Sequence, residues 1–417
     1  LDRVPVQAVG TLWAILAAHA IFGVAIVAWV VTGAWARLDR RLVEAARLLG
    51  ATPAQAFRHL TLPALAPAVG SAATLVFVFA FTSFAVVLLL GAPRLDTIEV
   101  TIYRLSTRPD LWSAAAVLAL VQLLMTVAAF ATRAPLHNAG HGPIEAEVRP
   151  LRSASAGERA GVALVLLVVA ALVLLPLVGL IAGAFVLDGA FTTRHFAALL
   201  TAPPDAVAPA EALTWSVAFA SLATLIALPA GAAAAIATAR ARGASRIVLG
   251  LIVWAPVAVP AVALAFAYTT MANNELIDLR GSPVLVLAAH ALIAYPFVVR
   301  AVRPAAHGLA PHLEEAATVL GAAPGTAWRR LGLPMLRRAL VVGAAFAFIV
   351  SFGEFGATLL LRRPEFTTAP VAVFDALSRP GSAGAGVAGA LATVLIAVAV
   401  VAFVVIDRFR RHDSAEV

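Results

Sequence analysis

The chain has 417 residues, of which 62% are hydrophobic and 12% are charged, with a formal net charge of +8 and a mean hydropathy of +0.96. A soluble globular domain carries charge at about a quarter of its positions, so this composition excludes that class. The chain has no cysteine, which excludes disulfides, iron–sulfur clusters and thiol chemistry. All 30 basic residues are arginine, spread over short segments between apolar runs, which indicates orientation in a lipid bilayer rather than nucleic-acid binding.

Long apolar runs predict an all-α, polytopic membrane protein with about nine transmembrane helices. Within a bilayer every backbone polar group must be paired inside the protein, so a helix is the default spanning structure. In chain order, the predicted spans are Thr11–Val31, Ala64–Gly91, Trp112–Thr132, Gly161–Phe185, Leu213–Ala239, Ile247–Met271, Pro283–Val302, Ala339–Leu361 and Gly386–Ile406.

Arginines predict which side of the membrane each loop occupies. Counting crossings places most of them on one side, which the positive-inside rule identifies as the cytoplasm. Segments 92–111, 186–212, 272–282 and 362–385 are then expected to face outward. We therefore expect a multi-pass protein of a bacterial cell membrane with a cytoplasmic C-terminus. The arginines on the cytoplasmic side are Arg37, Arg40, Arg41, Arg47, Arg58, Arg133, Arg149, Arg152, Arg159, Arg240, Arg242, Arg246, Arg329, Arg330, Arg337, Arg338, Arg408, Arg410 and Arg411.

An internal repeat predicts two homologous units. The 20 residues Glu44–Pro63 recur as Glu315–Pro334 with 12 identities and no gap, at an offset of 271 residues. We expect a first unit over 1–135 with three spans, a cytoplasmic linker over 136–158, and a second unit over 159–417 with six spans. The second unit has about 110 residues with no counterpart before Leu1, and the chain does not begin with Met, so we expect the first unit to be N-terminally truncated.

The first copy of the repeat reads as a helix, a glycine turn and a second helix. Gly50 suits a helix C-terminus that requires positive φ. Thr52 and Gln55 fit a capping box, with Pro53 at the first helical position. Pro63 is expected to end the second helix.

The second copy predicts the same fold with one weaker signal. Gly321 takes the turn, Pro324 opens the second helix and Pro334 is expected to end it, whereas Ala323 cannot cap. Two such rigid pairs on the cytoplasmic side favour a docking element for a cytoplasmic partner over a simple connection between spans.

The repeated pattern, EAA followed by a glycine and a final LP, resembles the coupling motif of binding-protein-dependent ABC importer permeases. This resemblance implies a short helix that fits a groove on an ATPase dimer in the cytoplasm, and a substrate-binding protein on the outer side. A fused pair of units resembles the ferric iron and thiamine branches. The residues to which the resemblance gives a coupling role are Glu44, Ala45, Ala46, Gly50, Pro63, Glu315, Ala316, Ala317, Gly321 and Pro334.

The absence of lysine supports a separate source of energy. A phosphate-binding P-loop requires a lysine, so this chain cannot contain one. We therefore expect a transport subunit rather than an enzyme, without cofactor or metal, driven by another subunit or by an ion gradient.

Polar side chains within the spans are candidates for the substrate pathway, because such groups are expensive in a membrane. Glu354 lies in the span after the second motif, and Ser83 is its repeat counterpart. His19 and His290 also match across the repeat. A carboxylate along the pathway would suit a cationic substrate; the alternative for Glu354 is a hydrogen-bonded group near a helix end, and for the histidines a packing role.

Two outer segments point to a substrate. After the first motif, the sequence TIE-x-x-IY at 97–103 resembles thiamine importer permeases. After the second, the sequence SFGEFGATLLLRRPEFTTAPVAVF at 351–374 resembles both thiamine and ferric iron permeases. Thiamine is therefore the predicted substrate, with ferric iron as the alternative. An ion-coupled secondary transporter is a second class, although it would leave the repeated motif unexplained. A membrane-bound enzyme lacks the HExxH and GxSxG patterns.

Overall fold

The computed structural model describes residues 10–36, 38–91, 94–131, 155–202, 207–272, 279, 281–309, 316–379 and 381–412. Its contacts divide the chain into two compact units, Leu1–Leu177 and Val178–Val417. Most described elements are helices, as the apolar composition predicts. A small antiparallel hairpin pairs β1 (Val186–Leu187) with β2 (Ala190–Phe191).

The first unit is built on α1 and α4, which pack along each other, and on α6 and α7, which form a second pair. Thr11 caps the start of α1 by accepting a hydrogen bond from the backbone of Ala14 at 3.3 Å. The elements of this unit are α1 (Leu12–Trp35), α2 (Arg40–Leu48), α3 (Pro53–Ala56), α4 (Leu62–Phe81), α5 (Ala85–Leu90), α6 (Ile98–Ser106), a 3₁₀ turn (Pro109–Leu111), α7 (Trp112–Ala131) and the larger part of α8 (Ala156–Ala184).

The second unit has its core between three long helices, α10, α13 and α15. Small and β-branched residues such as Ala227, Ala294 and Val298 are buried where these helices meet. The elements that follow α8 and the hairpin are α9 (Arg194–Ala197), a 3₁₀ turn (Ala198–Leu200), α10 (Pro209–Arg240), α11 (Ala244–Ala258), α12 (Ala261–Ala272), α13 (Pro283–Gly308), α14 (Pro324–Ala327), α15 (Leu333–Phe352), α16 (Gly356–Leu361), α17 (Ala369–Leu377) and α18 (Ser382–His412).

Each of eight of the nine predicted spans overlaps one long apolar helix in the described part of the chain, and this confirms the polytopic all-α prediction. Their outward faces are apolar: on α8, Val162, Leu166 and Leu175 are all more than half exposed, as expected for side chains that contact lipid.

The ninth predicted span, Ile247–Met271, is not a single helix. It consists of α11 and α12, which are bent by 96° relative to each other. The bend follows from Pro260, because proline disfavours helical backbone at the residue before it. Val259 accordingly has φ −88° and ψ 116°. The pair either crosses the membrane as a broken span or forms a re-entrant loop.

The helices that follow the two motifs begin earlier than predicted, within the motifs, and end before the predicted spans do. Ala64–Gly91 and Ala339–Leu361 were each expected to be one helix. Instead α4 stops at Phe81 and α5 begins at Ala85, while α15 stops at Phe352 and α16 begins at Gly356. Both breaks occur at the same place in the repeat, because the residue numbers differ by 271 in each case.

The glycine turn of the motif has the same backbone in both units. Gly50 and Gly321 have φ of 94° and 81°. The glycine N–H binds the carbonyl of Arg47 or Thr318, and the next N–H binds that of Ala46 or Ala317, all at 2.9 or 3.0 Å. These two bonds define a Schellman motif, which pairs carbonyls that a helix end would otherwise leave free. The turn predictions are confirmed.

The capping box of the first copy is also confirmed. The Thr52 hydroxyl accepts from the Gln55 N–H at 3.3 Å, and the Gln55 side chain accepts from the Thr52 N–H at 2.8 Å. Pro53 stands at the first position of α3. In the second copy α14 begins at Pro324, as predicted.

The prediction that Pro63 and Pro334 end the second helices is wrong. A π-turn over Phe57–Thr61 or Trp328–Gly332 carries the helix past each proline into α4 or α15. Within it the Leu62 or Leu333 N–H binds the carbonyl five residues earlier. The widened turn relieves the conflict between a proline ring and the preceding carbonyls, an adjustment that lets membrane helices tolerate proline. Each motif is therefore continuous with its span.

We predict that Gly50→Ala and Gly321→Ala loosen the motif turns. A Cβ at either position meets no atom within 4 Å, so the cost arises only from the positive φ and is about 1–2 kcal/mol. Amide exchange measured by mass spectrometry should rise about tenfold in peptides that cover each turn.

Gly161→Ala, in α8, is the matched control, because its Cβ also meets nothing and its φ is not positive. It should leave exchange unchanged or slower in its own peptide, since alanine favours a helix. Unchanged amide exchange at both turns would contradict the conclusion that Gly50 and Gly321 are required for their positive φ.

Candidate functional site

The tip of each motif exposes a pair of large apolar side chains. Leu48 and Leu49 are each 89% exposed. Val319 and Leu320, at the same positions of the second copy, are 86% and 87% exposed. These four residues, which we call the tip residues, lie directly before the glycine turn, where the rigid backbone fixes their direction. Large apolar side chains this exposed beside charged residues make each tip a candidate surface for binding a partner.

The tips are flanked by charge. Asp39 caps α2 by accepting from the Arg41 N–H at 2.9 Å, and Glu44 and Arg47 are exposed on the same helix. The first π-turn exposes Arg58 and His59.

The second π-turn exposes two arginines, Arg329 and Arg330, where the first exposes an arginine and a histidine. Ala316 is exposed and Ala317 is partly buried, while Glu315 lies outside the described residues.

Glu354 and His290, two of the predicted pathway residues, lie together in a buried polar cluster of the second unit. Glu354 is 7% exposed and His290 is fully buried. Glu354 lies in the break between α15 and α16. One carboxylate oxygen accepts from the Ala357 N–H at 2.7 Å, and the other accepts from the Thr358 N–H at 2.9 Å and the Thr358 hydroxyl at 2.6 Å. Both oxygens are thus used by the first turn of α16.

His290 connects both sides of the same break. Its Nδ1 lies 2.8 Å from the Ser351 hydroxyl at the end of α15, and its Nε2 lies 2.8 Å from the Thr358 hydroxyl on α16. Thr358 donates its proton to Glu354, so in a neutral imidazole Nε2–H donates to Thr358 and Nδ1 accepts from Ser351. The ring of Phe219 packs against the imidazole at 5.6 Å between centroids.

The first unit places the other two predicted pathway residues differently. His19 Nε2 is buried and has no hydrogen-bond partner among the residues that the structure describes. The repeat positions of Ser351, Glu354 and Thr358 are Ala80, Ser83 and Val87. Ser83 keeps a hydroxyl near the break, but two of the three polar positions are apolar in this unit.

A second buried polar pair escaped the sequence reasoning. Glu99 on α6 and Gln122 on α7 are both fully buried, and the Gln122 amide donates to the Glu99 carboxylate at 3.2 Å. The signal was present for Gln122, as an amide within a predicted span. Glu99 lies outside the predicted spans, in the TIE segment, so the sequence gives no sign of its burial.

Each unit also has an ion pair at its α6 or α17 helix. Arg104 on α6 pairs with Asp96 at 3.0 Å. At the same repeat position on α17 stands Asp375, which holds both terminal nitrogens of Arg362. The charge is reversed, yet in both units the pair connects a short helix to the segment before it. Within the described ranges, no group of three or more histidine or acidic side chains is placed to hold a metal ion.

Comparison with known proteins explains the repeat. The sequence pattern of one family, described as "Binding-protein-dependent transport system inner membrane component", matches residues 6–134 and 227–412. The matches cover well over half of the chain, and each includes one motif.

Individual relatives are transport permeases. A protein named as a 2-aminoethylphosphonate transport system permease, PhnV of Salmonella typhimurium, is 28% identical over 227 residues, which is 54% of this chain and 83% of PhnV. The molybdenum transport system permease ModB of Mycobacterium tuberculosis is 32% identical over 222 residues, 50% of this chain and 81% of ModB. The sulfate transport system permease CysT of Salmonella typhimurium is 43% identical over 76 residues, 18% of this chain and 27% of CysT.

These matches agree with the apolar helices and the duplicated motif. They confirm the permease resemblance and a transport subunit rather than an enzyme, in a multi-pass protein of the inner membrane. The chain belongs to the family of binding-protein-dependent transport system inner membrane components, the permease subunits of ABC importers.

Proposed function

We propose that this chain forms the translocation path of an ATP-driven importer and that its two motif turns dock on the ATPase. The observation that carries this proposal is the twofold construction of one element: the same Schellman turn, the same exposed apolar pair and the same π-turn, 271 residues apart. A segment that only joined two spans would have no reason to expose large apolar side chains twice.

Burial of the tip residues in an ATPase groove would supply the binding energy. Fully burying a leucine or valine side chain contributes about 1.5–3 kcal/mol. The Schellman turn keeps the tip rigid, so little conformational entropy is lost on docking. Glu44, Ala45 and Ala46, with Glu315, Ala316 and Ala317, carry the proposed coupling roles beside Gly50, Gly321, Pro63 and Pro334.

Movement of the docked tip would be transmitted into the membrane through a continuous helix. The helix that follows each turn is continuous through its π-turn, over Pro53–Phe81 in the first unit and Gly325–Phe352 in the second. Closing of the ATPase dimer would therefore tilt these spans directly. Alternating access between two related halves is the mechanism of many repeat-built transporters.

Family membership implies an ATPase and a substrate-binding protein as partners in general. We propose that the C-terminus and both motifs face the cytoplasm, with the binding protein on the opposite side, because the arginines concentrate beside the motifs. We retain the unit boundaries 1–135 and 159–417, joined by a linker over 136–158, for the same functional scheme.

We propose thiamine as the substrate and ferric iron as the alternative, because the segments that contain TIE and SFGEFG resemble those of thiamine and ferric iron permeases. The charge of Glu354 does not enter this choice, because both of its carboxylate oxygens already bind α16. A second class has its own observation: the named relatives are phosphonate, molybdenum and sulfate permeases. Small oxyanions are therefore the competing candidates.

Substitution of the tips should release the ATPase. We expect Leu48→Asp with Leu49→Asp, and Val319→Asp with Leu320→Asp, each to lower co-purification of the ATPase at least about tenfold, because buried apolar contacts are replaced by charge. Leu200→Asp is the matched control, since Leu200 is 77% exposed in a segment predicted to face outward. Retention of the ATPase by both double variants would overturn the docking proposal.

Uptake by reconstituted vesicles should identify the substrate. Vesicles would contain the permease from its native gene, its ATPase and its binding protein. ATP would be enclosed on the side of the membrane that carries the ATPase. We expect labelled thiamine to accumulate and Glu44→Ala with Glu315→Ala to abolish accumulation while assembly persists. Accumulation of molybdate, sulfate or a phosphonate instead would reject thiamine and keep the permease.

A protonophore separates the remaining class. Uptake that collapses with a protonophore while ATP is maintained would reject ATP coupling in favour of an ion-coupled transporter.

A further inference from the structure

We propose that His290, Ser351, Glu354 and Thr358 form a lock that fixes the broken span of the second unit to α13, and that the first unit lacks it. These four side chains, here called the His290 lock, act as positioning residues. This inference rests on the proposed function for its role in transport, but not for its existence.

The lock solves a local problem created by the break. The three residues between Phe352 and Gly356 are not helical. The first N–H groups of α16 therefore have no preceding helical turn whose carbonyls could accept their hydrogen bonds. The Glu354 carboxylate accepts two of these N–H groups. A carboxylate at a helix N-terminus is further favoured by the helix dipole.

The histidine converts this cap into a connection between three helices. His290 belongs to α13, Ser351 to α15 and Thr358 to α16, and the imidazole binds both hydroxyls at 2.8 Å. All four side chains are at least nine-tenths buried, where hydrogen bonds are strong and an unpaired partner is expensive. The angle at the break therefore cannot change without breaking bonds to α13.

The first unit offers an internal comparison. Its break lies at the same repeat position, and there the Thr82 N–H and hydroxyl both bind the Val78 carbonyl of the preceding turn at 2.9 Å. Ala80 and Val87 cannot replace Ser351 and Thr358, and His19 Nε2 has no partner among the described residues. The break of the first unit is held by apolar packing, with Phe84 buried against the ring of Tyr103 at 5.2 Å between centroids, whereas that of the second is also held by polar bonds to α13.

The consequence for transport is an unequal response of the two halves. In the second unit, a movement that enters α15 from the motif passes through the lock to α13 and α16 together. In the first unit, the corresponding movement of α4 can be absorbed at the break before α5. The helices of the second unit then determine the size of the movement that accompanies ATP hydrolysis, and the helices of the first unit adjust to it.

Amide exchange in lipid nanodiscs tests the lock without any transport assay. We expect Glu354→Ala to speed exchange about tenfold in peptides covering 353–361, and Ser83→Ala to change peptides covering 82–90 less than twofold. Grafting Ala80→Ser, Ser83→Glu and Val87→Thr into the first unit should slow exchange there. Equal responses to Glu354→Ala and Ser83→Ala would overturn the lock, whatever the protein transports.

A second experiment tests transmission, with the substrate that the vesicle assay identifies. Thr358→Val keeps both backbone bonds to Glu354 but removes the hydroxyl that bridges Glu354 and His290, and leaves only the longer 3.5 Å approach of His290 Nε2 to the carboxylate, so the number of substrate molecules moved per ATP should fall about fivefold. Thr358→Ser, which keeps the hydroxyl, should retain the wild-type ratio. An unchanged ratio in an assembled Thr358→Val complex would overturn the transmission role.

Failure of wild-type uptake itself would count against the proposed function and leave the exchange result standing.

Discussion

A helix that stops inside an apolar protein leaves backbone N–H and C=O groups that water cannot reach, and this constraint shapes the breaks within the described spans. Each unpaired group costs several kcal/mol in a bilayer (about 2–7 by transfer estimates). In the second unit a carboxylate caps the restart at Gly356. A π-turn carries helices past Pro63 and Pro334, and a Schellman turn closes the exposed helix ends at Gly50 and Gly321.

The two units share backbone geometry more closely than side-chain chemistry. The glycine turn, the π-turn and the break recur at one offset, although the capping Thr52 becomes Ala323 and the ion pair on α6 reverses its charges on α17. Backbone geometry is what a partner with two similar grooves would require twice. Side chains remote from that partner can diverge, and the buried polar clusters have done so.

The sequence was a good guide to whatever depends on local pattern. Apolar runs predicted the spans, and Gly, Thr and Pro at fixed spacing predicted the motif turn, because these residue types act through their own backbone. The breaks after Phe81 and Phe352 were not predicted, since hydropathy continues across them. Pro63 was misread as a terminator because the π-turn depends on register rather than on composition.

The polar contacts were beyond sequence reasoning for a different reason. Ser351 and Thr358 reach His290 from positions 61 and 68 residues away. Only the packing of three helices brings them together. Glu354 was identified as a special residue, whereas its partners were not, and Glu99 was missed because its burial depends on how α6 packs against α7.

Because of the π-turns, the direction of each tip relative to its span depends on the number of residues between them rather than on which residues these are. Each helix residue turns the chain by about 100° and advances it by about 1.5 Å. Removal of one residue from Phe57–Thr61 would restore an ordinary α-helical register and rotate Leu48 and Leu49 by roughly a quarter turn or more about the axis of α4. Single-residue deletions there should therefore be far less tolerated than substitutions, and the two copies can have diverged in sequence only by keeping their spacing.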